Sequence, residues 1–191
     1  MKIGLFFGTF DPVHLGHYKI VKNLIRSKNF NKIWVIPTPL SPFKKNNIIT
    51  SFQHRKLMLN KAFSDLNNVL ISDIELKLRQ PNYTIETLIY LQKTYPNNKY
   101  SLIIGSDNFN KIHLWKDSKK IIKNYPIYIY PREGHSINES VIKLNSKIKL
   151  ISMDTIPISS SDIRLNISSK KALNYLKPSV KEYILSNNLY I

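Results

Sequence analysis

The feature that most limits what this chain can fold into is the recurrence of short apolar runs separated by amphipathic stretches. The runs Ile3 to Phe7, Ile33 to Ile36, Val69 to Ser72, Tyr100 to Ile104, Ile127 to Tyr130 and Ile148 to Ser152 read as strands of a buried, parallel sheet. Helical patterns lie between them. His14 to Ser27 carries Leu15, Tyr18, Val21, Leu24 and Ile25 on one face. Phe52 to Phe63 follows Ser51, a capping residue type. A further helix begins at Thr84 and ends before Pro96, another runs to about Lys123 with Trp115 before or within it, and Pro178 opens a last one that fades at Asn187-Asn188. This order predicts an α/β fold: a Rossmann-like parallel sheet with helices on both faces and a small helical C-terminal part. The length of 191 residues, with 42% hydrophobic content, suits a single domain over 1–191.

Composition removes several kinds of chemistry. Without cysteine there is no disulfide framework, zinc knuckle or thiol nucleophile. No run approaches the roughly 18 apolar residues of a membrane span, and the chain enters a strand pattern directly, so a cytoplasmic location and no membrane partner are expected. The formal charge of +17 comes from 29 Lys and Arg against 12 Asp and Glu, mostly dispersed lysines with no nucleic-acid-binding signature. Arginine occurs only at 26, 55, 79, 132 and 164. In a composition drifted toward lysine it should persist where a planar, bidentate donor is needed, as expected at Arg55, Arg132 and Arg164. For Arg55 two readings stay open: an acceptor phosphate, or a surface acid.

The segment Gly8-Thr-Phe-Asp-Pro-Val-His-Leu-Gly-His17 sits between the first strand and the first helix, where an open α/β sheet places its ligand crevice. Gly8 and Gly16 lack a Cβ and allow backbone and phosphate to approach closely; the helix N-terminus is expected to supply free N–H groups, and Thr9 a hydroxyl. His14 and His17, three apart, project toward the same crevice. Two such imidazoles can donate hydrogen bonds to a phosphorus centre as its oxygens gain charge. A metal site is the rival, but it lacks a third ligand and the Glu of zinc motifs. Near the other end, Ile158-Ser-Ser-Ser-Asp-Ile-Arg164 places serine donors at a helix start with Arg164 at the same end.

Together these two motifs resemble the HxGH nucleotidyltransferase superfamily, which joins a nucleoside monophosphate to a phosphorylated acceptor. Further segments resemble its nicotinate-nucleotide adenylyltransferase family: Pro81-Asn-Tyr-Thr-Ile-Glu-Thr-Leu88, Leu102-Ile-Ile-Gly-Ser-Asp107 with Leu114-Trp115, Tyr130-Pro-Arg132, and the ending around Val180, Tyr183, Ile184, Leu189 and Tyr190. The resemblance implies transfer of AMP from ATP to nicotinate mononucleotide, giving deamido-NAD and pyrophosphate, with Mg²⁺ held mostly by phosphates and water. It implies His14, His17 and Arg164 as catalytic residues. Gly8, Thr9, Phe10, Gly16, Gly105, Asp107, Ile158, Ser159, Ser160 and Ser161 would hold ATP. Lys44, Tyr83, Thr84, Trp115 and Arg132 would hold the acceptor, Trp115 stacking on the pyridine ring.

Bland readings stand beside these. Asp107 suits a helix N-cap, Trp115 a core aromatic because Leu114 beside it reads as core, and Lys44 a solvated loop. Three departures concern substrate fit: Phe7 replaces a Gly, so the backbone there should remain in the strand; Phe43 replaces a His; Asn82 replaces a Ser. Other readings are a same-fold enzyme for nicotinamide mononucleotide or phosphopantetheine, and a non-catalytic basic protein that binds RNA. ATP and nicotinate mononucleotide are the expected partners, without nucleic acid; homo-oligomerisation is left open.

Overall fold

The computed structural model describes residues 1–40, 42, 50–137, 145–155 and 157–190; Phe43 and Lys44 lie outside them. Six strands, β1 (Lys2–Gly8), β2 (Lys32–Pro37), β3 (Val69–Ile71), β4 (Lys99–Gly105), β5 (Ile127–Tyr130) and β6 (Ile148–Leu150), form one parallel sheet in the order β3-β2-β1-β4-β5-β6. Phe7 stays inside β1, as the missing glycine predicts.

Side chains alternate across the sheet and each set meets its own helices. Phe6, Ile33, Val35, Ile103 and Tyr128 pack with Ile20, Val21 and Leu24 of α1 (Leu15–Arg26), Met58, Leu59 and Phe63 of α2 (Phe52–Phe63), and Val180 and Ile184 of the helix Pro178–Ser186. Ile3, Leu5, Ile36, Leu102, Ile104 and Ile129 pack on the other face with Ile85, Leu88 and Leu91 of α3 (Thr84–Thr94) and Ile121 of the helix Ser118–Asn124. This two-sided burial is why the strands read as continuous apolar runs. The strand order reverses between β1 and β4, so the loops leaving their C-terminal ends diverge and open a crevice there.

Two local readings are corrected. The first helix begins at Leu15, because His14 is its extended N-cap (φ −138°, ψ 173°). Leu114 is not core: it is 60% exposed. It closes a 3₁₀ turn, Ile112–Leu114, whose residues two apart point to different sides, and Ile112 is the one buried. Trp115 follows that turn and precedes the helix Ser118–Asn124.

Candidate active site

The two histidines are built into the start of α1 as a reciprocal cap. The Gly16 N–H donates to His14 Nδ1 at 3.1 Å, and the His14 N–H donates to His17 Nδ1 at 3.2 Å. With Nδ1 accepting on both rings, the proton of each neutral imidazole sits on Nε2. The rings lie 3.8 Å apart between centroids, 31° from parallel. Burial, aided by the Arg132 charge, pushes the His14 pKa down to about 3, so His14 is neutral through the physiological range. It is therefore an N–H donor at Nε2, neither a base holding a proton nor a cation.

The free helix N–H groups expected here are not present. Leu15 N–H donates to the Tyr175 carbonyl at 2.8 Å, and the next turn closes on the histidine cap. The motif thus exchanges backbone donors for imidazole donors. A stability signature follows from the depressed pKa of His14, which must gain a proton on unfolding below pH 6.5. Its contribution, up to about 5 kcal/mol, is fully present above the unfolded pKa and is lost as pH falls toward about 3. Denaturant melts at neutral and acidic pH should show a smaller acid loss in His14→Asn, which keeps a capping side chain without titrating; an unchanged acid loss contradicts this.

The loop before the cap is held from below. Phe10 adopts φ 51°, a left-handed conformation costly for a bulky residue, and its ring is buried 5.3 Å from Phe6 and 5.0 Å from His17. Phe10 can therefore offer a nucleotide mainly its main chain. Gly8 is required by this packing as well, since a Cβ there would meet the Phe10 ring at 2.9 Å. Arg55 is buried, at 1% exposure, so it is no partner of a surface acid. Its Nη1 donates to the carbonyls of Thr9 at 2.7 Å and Thr38 at 2.9 Å, and its Nε to that of Thr50 at 3.3 Å. The planar donor is needed, but for main chain. The Tyr190 hydroxyl adds a bond to Asp11 Oδ1 at 2.6 Å.

The second motif docks on the same loop. Ser159 caps the helix Ser160–Leu165 in a reciprocal box with Asp162. Ser160 Oγ donates to the Pro12 carbonyl at 2.9 Å, and Arg164 Nη1 to that of Asp11 at 2.6 Å, while Nη2 meets Ser161 Oγ at 3.3 Å. His14, His17, Ser159, Ser160, Ser161, Arg164, Asp107 and Arg132 line one pocket with Gly8, Thr9 and Phe10. Asp107 does not cap its helix, Ser106–Phe109, for which Gly105 is the N-cap residue. Its Oδ1 is buried without a hydrogen bond among the described residues, 3.9 Å from Arg132 Nε. Gly105 permits this approach, because a Cβ there would collide with Asp107 and touch Arg132. Ile158 packs against the core, and Gly16 lies at the buried first turn of α1.

A second pocket adjoins the first and shares Phe7, Gly8, Thr9, Asn108 and Tyr130 with it. Tyr83, Thr84 and Trp115 line it, as the sequence predicts, and Lys116 and Glu75 join them. α3 has no side-chain cap, so in contrast to α1 its first-turn N–H groups point out at Tyr83 and Thr84 uncapped by any side chain. The Lys116 ammonium stands 4.7 Å from the Tyr83 ring centroid and pairs with Glu86 at 2.6 Å. Asn82 ties the wall together, its Nδ2 donating to the Glu75 carbonyl at 2.8 Å and its N–H to the Leu40 carbonyl at 3.0 Å.

Comparison with known proteins bears on what this pair of pockets is. The cytidylyltransferase-like family model matches residues 5–166. A Flavobacterium psychrophilum protein named a probable nicotinate-nucleotide adenylyltransferase is 40% identical over 191 residues, 100% of this chain and 99% of the relative. The chain belongs to the nicotinate-nucleotide adenylyltransferase family. A similarly named Flavobacterium johnsoniae protein is also 40% identical, over 100% of this chain and 99% of its own. Among solved structures, Plasmodium falciparum nicotinic acid mononucleotide adenylyltransferase complexed with APC matches with a TM-score of 0.82 and 25% identity, over 99% of this chain and 96% of that one.

In this adenylyltransferase fold, four contributors to the crevice escape sequence reading: Glu75, Asn82 as a wall tie, Lys116, and Ser106, whose Oγ accepts from the Arg132 N–H at 2.9 Å. Only the clustering of Ser106 with Asp107, and of Lys116 with Trp115, could have signalled them. No helix among the described residues is long and apolar enough to cross a membrane, and no group of three or more metal-ligating side chains occurs among them.

Proposed function

We propose that the protein transfers the adenylyl group of ATP to nicotinate mononucleotide, releasing pyrophosphate and deamido-NAD. The observation that carries this reading is the pair of pockets meeting at Gly8 and Thr9: one side presents neutral imidazole donors, hydroxyls and arginines, the other an aromatic and a helix start. A triphosphate fits the first and a planar anionic ring the second.

The acceptor phosphate, already ionised near neutral pH, attacks the α-phosphorus in line. One P–O bond forms as the bond to the β-phosphate oxygen breaks, and no general base is required. His14 and His17 donate through Nε2 to the oxygens that gain charge, and Arg164 with Ser159, Ser160 and Ser161 receives the departing pyrophosphate. Asp107, whose Oδ1 faces Arg132 but accepts no hydrogen bond among the described residues, suits ribose hydroxyls. Arg132 serves phosphate, with Lys44 assigned to the same task. Trp115 stacks on the pyridine ring, and the N–H groups at Tyr83 and Thr84 receive its carboxylate, helped by the Lys116 charge.

Mg²⁺, when bound, would supply positive charge that offsets the charge gathering on the departing pyrophosphate. The donors around the triphosphate fit an ion held chiefly by phosphate and water, since Asp107 is already beside Arg132 and Asp11 is bonded to Tyr190. The test is pyrophosphate release from ATP with nicotinate mononucleotide, nicotinamide mononucleotide and phosphopantetheine in turn. The nicotinate form should turn over best; equal or better turnover of either other acceptor overturns the substrate assignment.

A further inference from the structure

The wall of the acceptor pocket holds a carboxyl that adenylyl transfer does not use. Glu75 lies on the 3₁₀ turn Ile74–Lys77 and is 2% exposed, yet it lines the pocket together with Tyr83, Thr84 and Trp115. The Thr87 hydroxyl, one turn into α3, donates to Oε1 at 2.9 Å. The other oxygen, Oε2, is buried without a well-formed hydrogen bond among the described residues, although the Thr38 hydroxyl is close enough to act on the carboxyl. Such a carboxyl, in a pocket wall and anchored through Oε1, sets its charge state against whatever fills the pocket.

No cation among the described residues pairs with the Glu75 carboxyl, and those at hand have partners of their own. Lys116 pairs with Glu86 at 2.6 Å, Lys56 with Asp73 at 2.6 Å, and Arg55 donates to main-chain carbonyls. Among the described residues, the Asp107 carboxylate lies toward the nucleotide pocket. Burial accordingly pushes the Glu75 carboxyl up to about 7, with the Thr87 and Thr38 hydroxyls pulling the other way. Both its forms are populated near neutral pH.

The consequence is electrostatic. An ionised Glu75 and a ligand carboxylate in one desolvated pocket repel each other, and the repulsion is poorly screened there. A neutral Glu75 imposes no such cost and can donate its proton in a hydrogen bond. A carboxamide, being uncharged, is far less sensitive to the difference. We propose that Glu75 is a specificity-determining residue of the acceptor pocket, admitting a ring that bears a carboxylate when neutral and discriminating against it when ionised. This rests on the reading of that pocket as the acceptor site.

The experiment compares kcat/KM for nicotinate mononucleotide with that for nicotinamide mononucleotide across neutral pH, using the full chain. Taking their ratio cancels the titration of the phosphate that both carry. In the wild type the ratio should fall roughly tenfold between about pH 6 and about pH 8, chiefly through KM of the nicotinate form. Glu75→Gln, neutral throughout, should give a flat ratio. Thr87→Val, which loses a hydrogen bond favouring the ionised form, should move the midpoint to higher pH and carries the test should Glu75→Gln not fold. A flat wild-type ratio, the same fall in Glu75→Gln, or an unmoved midpoint in Thr87→Val overturns the proposal. Absence of turnover with either nucleotide overturns instead the reading of the pocket, and this inference with it, so the two failures are distinguishable.

Discussion

Alanine at His14 or at His17 is expected to lower turnover by about 10²–10³-fold, the loss that follows removal of one preorganised donor from a charge-developing centre. Each ring has its Nδ1 engaged with a backbone N–H of the same cap, which fixes the tautomer and aims Nε2. The ring-to-ring distance of 3.8 Å brings both donors to one place. Since Nδ1 is a cap acceptor, alanine at position 14 also removes a helix cap and costs about 1 kcal/mol of stability. That is small beside the kinetic effect, so melting and single-turnover measurements on the same samples separate the two. Unaltered turnover in both variants contradicts the role given to the pair.

Arg55→Ala is expected to produce the largest loss of stability, about 3–5 kcal/mol, because it removes a buried guanidinium that serves three main-chain carbonyls at once. In a chain of this length the melting temperature should fall by about 10 °C. Arg55→Lys should recover little. An ammonium carries the charge but cannot span the carbonyls of Thr9 and Thr38, which directly follow β1 and β2, and that of Thr50, which precedes α2. Turnover should fall with it, since Thr9 opens the loop that presents the histidines. A melting temperature unchanged in both variants contradicts this account.

How far the sequence carried depends on whether the cause was local. β1, β2, β4 and β5 were legible because burial on both faces leaves unbroken apolar runs, whereas the edge strands β3 and β6 keep an exposed side and were marked by fewer apolar residues. Ser51 and α2 were legible because a cap and its helix are adjacent, and Pro178 marked the last helix for the same reason. The histidine pair was legible as a pair, but its reciprocal capping was not: a histidine is an uncommon cap, and the letters suggested backbone donors that the cap in fact occupies.

Arg55 was marked by the scarcity of arginine, whereas its partners come from positions 5, 17 and 46 residues away, which no local pattern reports. Glu75 sits in the short mixed segment Ile74–Lys77, where an acid reads as a solvated turn, and its partner Thr87 is 12 residues on. Leu114 misled because residue type alone does not say which side of a 3₁₀ turn faces the core.

In the proposed mechanism two neutral imidazoles, donating through Nε2, stabilise the α-phosphate during transfer. A crystal structure of the protein with a non-hydrolysable ATP analogue tests it most directly. Both Nε2 atoms should lie about 3 Å from α-phosphate oxygens, with Arg164 toward the β- and γ-phosphates. An α-phosphate seated elsewhere, with both imidazoles bonded only to protein, would contradict it.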